Sequence, residues 1–299
     1  MEAQTQRKSL VDRCKLQNTW IKEGLAEFLG SFILILFGCG SIAQSVLSRG
    51  ASGNILTSSI CFPFGITIAV YASMGVSGGH LNPAISLSMC VLGRLDWLKL
   101  PVYCFAQFVG AFIGSAAVFG LYYDAFMSFD GGNLAIYGQN ATAQIFSSYP
   151  APHLSLVNGF VDQIMGTAAL LLSVLAILDT KNNCVPKGLE PVVIGLVIMV
   201  IGLSMNFNCG GTINPARDLG PRLFTAVAGW GIEVFRAGGG WWWVPVVAPI
   251  IGGLLGTCLY ALFIELHHKE DILEEVCCTK DEQVEGKAKY EMISIQCNK

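Results

Sequence analysis

The tripeptide Asn-Pro-Ala occurs twice in this chain, as Asn82-Pro83-Ala84 and Asn214-Pro215-Ala216, 132 residues apart. Each copy opens an apolar stretch, 82–93 and 214–228, shorter than the about 20 residues a helix needs to cross a bilayer. Asn is suited to cap a helix, and Pro to take its first position, where the missing N–H costs nothing. A short apolar helix that starts from such a break reads as a re-entrant half-helix. Irregular backbone at membrane depth is tolerated only where protein buries it or where it lines a cavity. Two such breaks therefore point to one interior site.

The rest of the chain supplies the membrane. Of 299 residues 53% are hydrophobic and 13% charged, against about 25% charged in a soluble domain; mean hydropathy is +0.56. Six stretches are long and apolar enough to span, at roughly 24–47, 57–75, 100–123, 158–178, 189–207 and 242–266. The predicted fold is an all-α membrane protein of six transmembrane helices plus two re-entrant half-helices. The net charge of −3 is small, and the segment 269–299, with five lysines and eight acids, accounts for it. The body is thus near neutral, and no nucleic-acid partner is expected. Five of the eleven cysteines sit in apolar runs (Cys39, Cys61, Cys90, Cys104, Cys258) without ligand spacing, so neither a disulfide framework nor a metal site is expected. No nucleophile–base pairing or phosphate loop stands out, and neither enzyme activity nor a cofactor is predicted.

Charge placement sets the orientation. Arg7, Lys8, Arg13, Lys15 and Lys22 precede the first span, and no small-residue cleavage site follows them, so the first span is expected to persist. Arg94 and Lys99 lie between spans two and three, Lys181 and Lys187 between four and five, and Lys269 after six. No lysine or arginine occurs from 100 to 180. Both termini are therefore expected in the cytoplasm and the connection 124–157 outside. Asn140-Ala141-Thr142 in that connection is a glycosylation sequon, with Asn140 as acceptor. Trp241-Trp242-Trp243 is expected in the outer interfacial belt. The tail 269–299 is polar and lacks apolar periodicity, which predicts disorder; its adjacent Cys277 and Cys278 are candidates for palmitoylation.

The spans repeat. Glu27-Phe28-Leu29-Gly30 in span one is echoed by Gln163-Ile164-Met165-Gly166 in span four, 136 residues on, close to the 132 between the Asn-Pro-Ala copies. Two landmarks at nearly one offset imply a duplicated three-span unit. Three is odd, so the second copy enters from the opposite face, an inverted repeat with its site near the midplane. The expected organisation is a cytoplasmic segment 1–22, a channel domain 23–268 (repeats 23–123 and 158–268, outer connection 124–157) and a cytoplasmic tail 269–299. Gly110 with Gly114, and Gly252 with Gly256, are small-xxx-small pairs suited to close helix approach.

The half-helices predict chemistry. Each N-terminus carries unpaired N–H groups and the positive end of a dipole. Entering from opposite faces, the two ends meet mid-membrane and oppose cations and protons. Asn82 and Asn214 can cap the helices and still offer amide N–H donors to a passing hydroxyl. Arg217 brings fixed positive charge with several donors, and ionisable residues at this depth read as functional. A direct Arg217–Asp218 pair is awkward, since neighbours on a helix point about 100° apart; Asp218 is expected on nearby backbone or on Arg222. Glu27 has two readings, a proton-coupling site or an acceptor for N–H groups of the re-entrant loop. The matching Gln163 cannot carry a proton, which favours support. His80 is either a satisfied structural histidine or a pH gate at the cytoplasmic mouth.

The runs Gly78-Gly79-His80-Leu81-Asn82-Pro83-Ala84 and Asn214-Pro215-Ala216-Arg217-Asp218 resemble the aquaporin superfamily, and the aspartate after the arginine resembles its aquaglyceroporin branch. Gly188-Leu189-Glu190-Pro191 and Gly220-Pro221-Arg222-Leu223-Phe224 also resemble vertebrate-type glycerol channels. The resemblance covers about residues 20–268. It implies a passive plasma-membrane channel for glycerol, water and small neutral solutes such as urea, assembled as a homotetramer with one pore per subunit. It also implies an outer selectivity filter of Phe62, Gly202, Gly211 and Arg217. Water-selective relatives carry a histidine at the position of Gly202. Gly211 departs from the pattern, because the bacterial glycerol facilitator has an aromatic there, and Pro63 leaves the direction of Phe62 open. The alternatives are a water-selective channel and an ion-coupled secondary transporter.

Overall fold

A computed structural model of the chain describes residues 15–183 and 185–268. Arg7, Lys8, Arg13, Cys277, Cys278 and the tail 269–299 lie outside the described residues. By its contacts the chain divides into residues 1–261 and 262–299. In the second unit the described residues include a 3₁₀ turn, Glu265–His267.

Eight principal helices carry the first unit: α1 (Thr19–Leu47), α2 (Ile55–Ser77), α3 (Pro83–Val91), α4 (Leu100–Leu121), α5 (Leu156–Leu178), α6 (Glu190–Cys209), α7 (Pro215–Thr225) and α8 (Val244–Phe263). The long ones match the six predicted spans, and each has the length and hydropathy to cross a membrane. The two short ones, α3 and α7, start on the prolines of the two tripeptides. Among the described residues β-type pairing is confined to an isolated bridge, Ala135–Ala141.

Helix boundaries follow local chemistry. Asn18 caps α1 by accepting from Trp20 N and Ile21 N. Asn54 and Thr57 cap α2 reciprocally, each side chain bonding the other's backbone. α2 and α6 both stop at a glycine in the left-handed region, Gly78 (φ +88°) and Gly210 (φ +78°), and each is followed by a second, Gly79 (φ +64°) and Gly211 (φ +56°). The paired glycines sit four and three residues before Asn82 and Asn214. An L residue other than Gly adopts this conformation only at a cost, so the same reversal of direction is built twice.

The inverted repeat is visible in the packing. A Cβ on Gly110 would overlap the Phe28 carbonyl, and one on Gly114 would lie 3.0 Å from the Phe32 carbonyl oxygen, so α4 rests directly on α1. In the second half Gly252 and Gly256 of α8 bear in the same way on the carbonyls of Ile164 and Ala168 in α5. These are the close contacts that the small-xxx-small spacing predicts. Gly30 of α1 meets Leu81, and Gly166 of α5 meets Ile213, the residues just before the two asparagines.

One expectation changes. Trp241 is not interfacial: it is fully buried, packs on Gly159 and donates from Nε1 to Ser148 Oγ at 3.2 Å. Only Trp242 of the three is exposed. The triplet lies at a helix start, and there the bundle interior, not the membrane interface, claims its first ring. The connection 124–157 is packed against the bundle. Phe126 and Phe146 stack at 5.9 Å, and both meet Trp230 edge-on. That aromatic cluster seats Ala143, Ile145 and Phe146 in the core, and Ser147 and Ser148 are buried as well. Asn140 is tied at both ends, donating to Asp130 Oδ1 at 2.7 Å and accepting from Arg49 Nη1 at 3.1 Å. Thr142 of the sequon is buried, its hydroxyl oxygen accepting from Trp230 Nε1.

Candidate functional site

α3 and α7 meet N-terminus to N-terminus. Asn82 accepts from Ala84 N through Oδ1 at 2.9 Å, and Asn214 accepts from Ala216 N at 3.0 Å and Arg217 N at 3.3 Å. Each asparagine also reaches across the two-fold: Asn82 Nδ2 donates to the Ile213 carbonyl at 2.9 Å, and Asn214 Nδ2 to the Leu81 carbonyl at 2.8 Å. One side chain thus caps its own helix and braces the other. A carboxamide has two N–H donors, so one remains on each side for a passing oxygen. The two positive helix ends, each worth roughly half a charge, are held together by these reciprocal bonds.

The chain before α3 is held from behind by Glu27. Its Oε1 accepts from Ser77 Oγ at 2.6 Å and His80 N at 2.9 Å, and its Oε2 from Leu81 N at 2.7 Å and Gln107 Nε2 at 2.7 Å. Four donors leave a fully buried carboxylate well satisfied. Leu81, held in the left-handed region (φ +54°), turns its carbonyl toward Asn214. The second repeat is built differently. Gln163 is equally buried, but it donates to Cys209 Sγ at 2.9 Å. Its Oε1 has no partner among the described residues, and no hydrogen bond links it to the chain before α7. Glu27 and Gln163 are equivalent in position and not in contacts.

Arg217 lies one turn beyond Asn214 along α7. Its Nη1 donates to the Phe146 carbonyl at 2.6 Å, and its guanidinium sits 5.2 Å from the Phe62 ring centroid. Phe62 turns inward: its ring fills the space beside Gly38, where a Cβ would overlap it. Pro63 is accommodated within α2. Gly202 faces open space, with nothing within 4 Å of where a Cβ would be. Gly211 is explained by its backbone, being the counterpart of Gly79.

Asp218 and Arg222 form a fully buried pair, Oδ1 accepting from Nε at 3.0 Å and Nη2 at 2.8 Å. Asp218 Oδ2 accepts from Ser148 N and Ser148 Oγ, both at 2.6 Å, and Arg222 Nη2 donates to the Ser148 carbonyl at 2.6 Å. The pair therefore clamps the strand of outer connection that delivers the Phe146 carbonyl to Arg217. Phe146 and Ser148 carry no signal in the sequence, being single residues in an irregular segment. Gln107, a lone amide in the apolar run of α4, is a signal that sequence reading passes over; so is Glu23, which pairs with Lys99 at 2.8 Å and accepts from Tyr103 at 3.2 Å.

Asn82, Asn214 and Arg217 line one cavity of ≈ 310 Å³. Its lining is mostly apolar, with residues such as Leu34, Ile66, Val70, Leu170 and Val174, and its polar groups include those of residues 78–82, Asn214 and Arg217. Phe62, Gly202 and Gly211 line it as well, and so does His80, whose Nδ1 lies 3.1 Å from Ser86 Oγ and whose ring packs 5.2 Å from that of Tyr103. Glu27, Gln163, Asp218, Pro83, Ala84, Pro215 and Ala216 are not among the lining residues; the first three stand behind the wall, and the others begin the half-helices.

Six spanning helices around two abutting half-helices, with a continuous cavity past their caps, define a membrane channel. The chain belongs to the major intrinsic protein family, whose sequence model matches residues 15–260. Human Aquaporin-9 is 54% identical over 289 residues, covering 96% of this chain and 97% of that one. Human Aquaporin-10 is 53% identical over 261 residues, 87% of each. The X-ray structure of the aquaglyceroporin from Plasmodium falciparum matches with a TM-score of 0.74 at 31% identity, over 82% of this chain and 97% of that one.

Proposed function

We propose that the protein is a passive channel for glycerol and water, and for urea and other small neutral solutes, that excludes ions and protons. The observation that carries this reading is a cavity that combines a mostly apolar lining with the turn before α3, the amides of Asn82 and Asn214 and the Arg217 guanidinium. A polyol has a CH side and a hydroxyl side and suits such a pore. Asn82-Pro83-Ala84 and Asn214-Pro215-Ala216 form the central constriction in this reading, and Phe62, Gly202, Gly211 and Arg217 the outer filter. Open space at Gly202 favours glycerol over a water-only pore. The opposed helix ends and Arg217 supply the barrier to cations and protons, as in aquaporin-type pores generally. Glu27 serves as support for the turn before α3, and Asp218 for the segment that holds Arg217.

In the cell the protein is a multi-pass plasma-membrane channel with residues 23–268 as its channel domain and both termini cytoplasmic. It is a homotetramer, and Asn140 is its glycan acceptor. The hydrogen bonds around Asn140 and the burial of Thr142 require that the glycan be added before this segment closes. Stopped-flow flux in proteoliposomes tests the central reading. Glycerol and water flux above protein-free vesicles is expected. Water flux without glycerol selects a water-only channel, and saturation with dependence on an ion gradient selects a transporter.

A further inference from the structure

We propose that Asn206 is a specificity-determining residue of the outer constriction, standing in the wall that Gly211 leaves without a side chain. The inference rests on the channel reading above and concerns the same cavity. A Cβ on Gly211 would lie 2.6 Å from Asn206 Oδ1. The amide therefore occupies the space a side chain at 211 would enter, and a side chain there would require the amide to swing aside. Asn206 lies four residues after Gly202 on α6, so the two share a helix face, with Asn206 one turn nearer the outside. Both line the cavity.

The amide is positioned from the neighbouring helix. Asn206 Nδ2 donates to Ser59 Oγ at 3.3 Å, and Ser59, buried on α2, lies one turn outside Phe62 on the same face. Ser59 also lines the cavity. One N–H and the carbonyl oxygen of Asn206 have no protein partner among the described residues. They form a donor and acceptor pair at the mouth, ahead of Arg217. A solute that both donates and accepts, a polyol hydroxyl or urea, can exchange its water for this pair before it reaches the guanidinium. An aromatic ring at 211 would offer it only an apolar wall. Asn206 is thus a binding group and a size limit together, and Ser59 is its positioning residue.

The test is stopped-flow flux of water, glycerol, urea and a four-carbon polyol through the full-length protein in proteoliposomes. Asn206→Leu keeps the approximate volume and removes the polar pair. Glycerol and urea flux should fall about tenfold, the worth of one hydrogen bond, with water flux reduced much less. Asn206→Ala removes the wall, and the four-carbon polyol should gain at least several-fold relative to glycerol. Ser59→Ala frees the amide without deleting it. The glycerol-to-water ratio should move in the same direction as in Asn206→Leu by a smaller factor, and this variant decides the matter if those at 206 do not fold. A conducting wild type whose ratios are unchanged in the variants that fold overturns the assignment of Asn206 alone. A wild type that conducts no glycerol overturns the channel reading and this proposal with it.

Discussion

Glu27→Gln separates support from proton coupling, and its cost can be worked out from the contacts. The substitution preserves shape, so it opens no cavity, but it turns one acceptor oxygen into a donor. If the amide nitrogen replaces Oε1, the Ser77 hydroxyl can rotate and accept, while His80 N–H is left facing another donor. If it replaces Oε2, both Leu81 N–H and Gln107 Nε2 face it. The cheaper arrangement leaves one buried backbone N–H without an acceptor, at about 1–3 kcal/mol, and removes the charge that strengthens the surviving bonds. The loss is roughly 2–5 kcal/mol against a total stability on the order of 5–15 kcal/mol. At about 2–4 °C per kcal/mol, the apparent Tm of the purified protein should fall by about 4–20 °C. Thermal unfolding in detergent reads this directly. Glycerol flux per folded channel should also drop, because residues 78–81 lose their anchor. A variant with wild-type Tm refutes the four-bond argument. Wild-type flux that follows a proton gradient, lost in Glu27→Gln with the fold intact, would make Glu27 a coupling site instead.

Other substitutions test the remaining parts. The Cβ of Gly202→His would meet no neighbour within 4 Å, so the variant should fold and reduce glycerol flux more than water flux in stopped-flow assays; equal loss of both contradicts the filter assignment. Asp218→Asn weakens a fully buried pair, and Arg222→Met leaves its carboxylate without the cation. The second should cost about 3–5 kcal/mol, seen as a lower Tm, and should loosen the Phe146 segment, seen as faster amide exchange there. Asn214→Ala removes a cap worth about 1 kcal/mol and a cross-brace of similar size. The double variant with Asn82→Ala should lose less than the sum of the single losses, because the braces are coupled. For His80, glycerol flux from pH 8 to 5 in wild type and His80→Ala decides between roles. A response in wild type that the variant lacks assigns a gate, and coincident profiles assign packing.

Much of this architecture is legible in the sequence because lipid allows few solutions. Every backbone polar group must be satisfied internally, so the six apolar runs can only be helices. The Asn-Pro breaks can only start half-helices at a buried site. The matching offsets of Glu27 with Gln163 and Asn82 with Asn214 then dictate the inverted repeat, since an odd number of spans reverses the second copy. Small residues at 110, 114, 252 and 256 announce where helices touch, because contact between backbones needs the absence of a side chain.

What the tertiary structure alone decided are the contacts between segments far apart in the chain. That each asparagine braces the opposite loop, that Glu27 holds four donors while Gln163 turns to Cys209, and that Trp241 is interior depend on which atoms face each other across the bundle. Periodicity and composition carry no such information. Gly211 shows the division most clearly. From sequence it is a missing side chain in a filter. In the fold it is the left-handed twin of Gly79, and the space beside it belongs to Asn206, a residue whose role only the approach of α6 to α2 could assign.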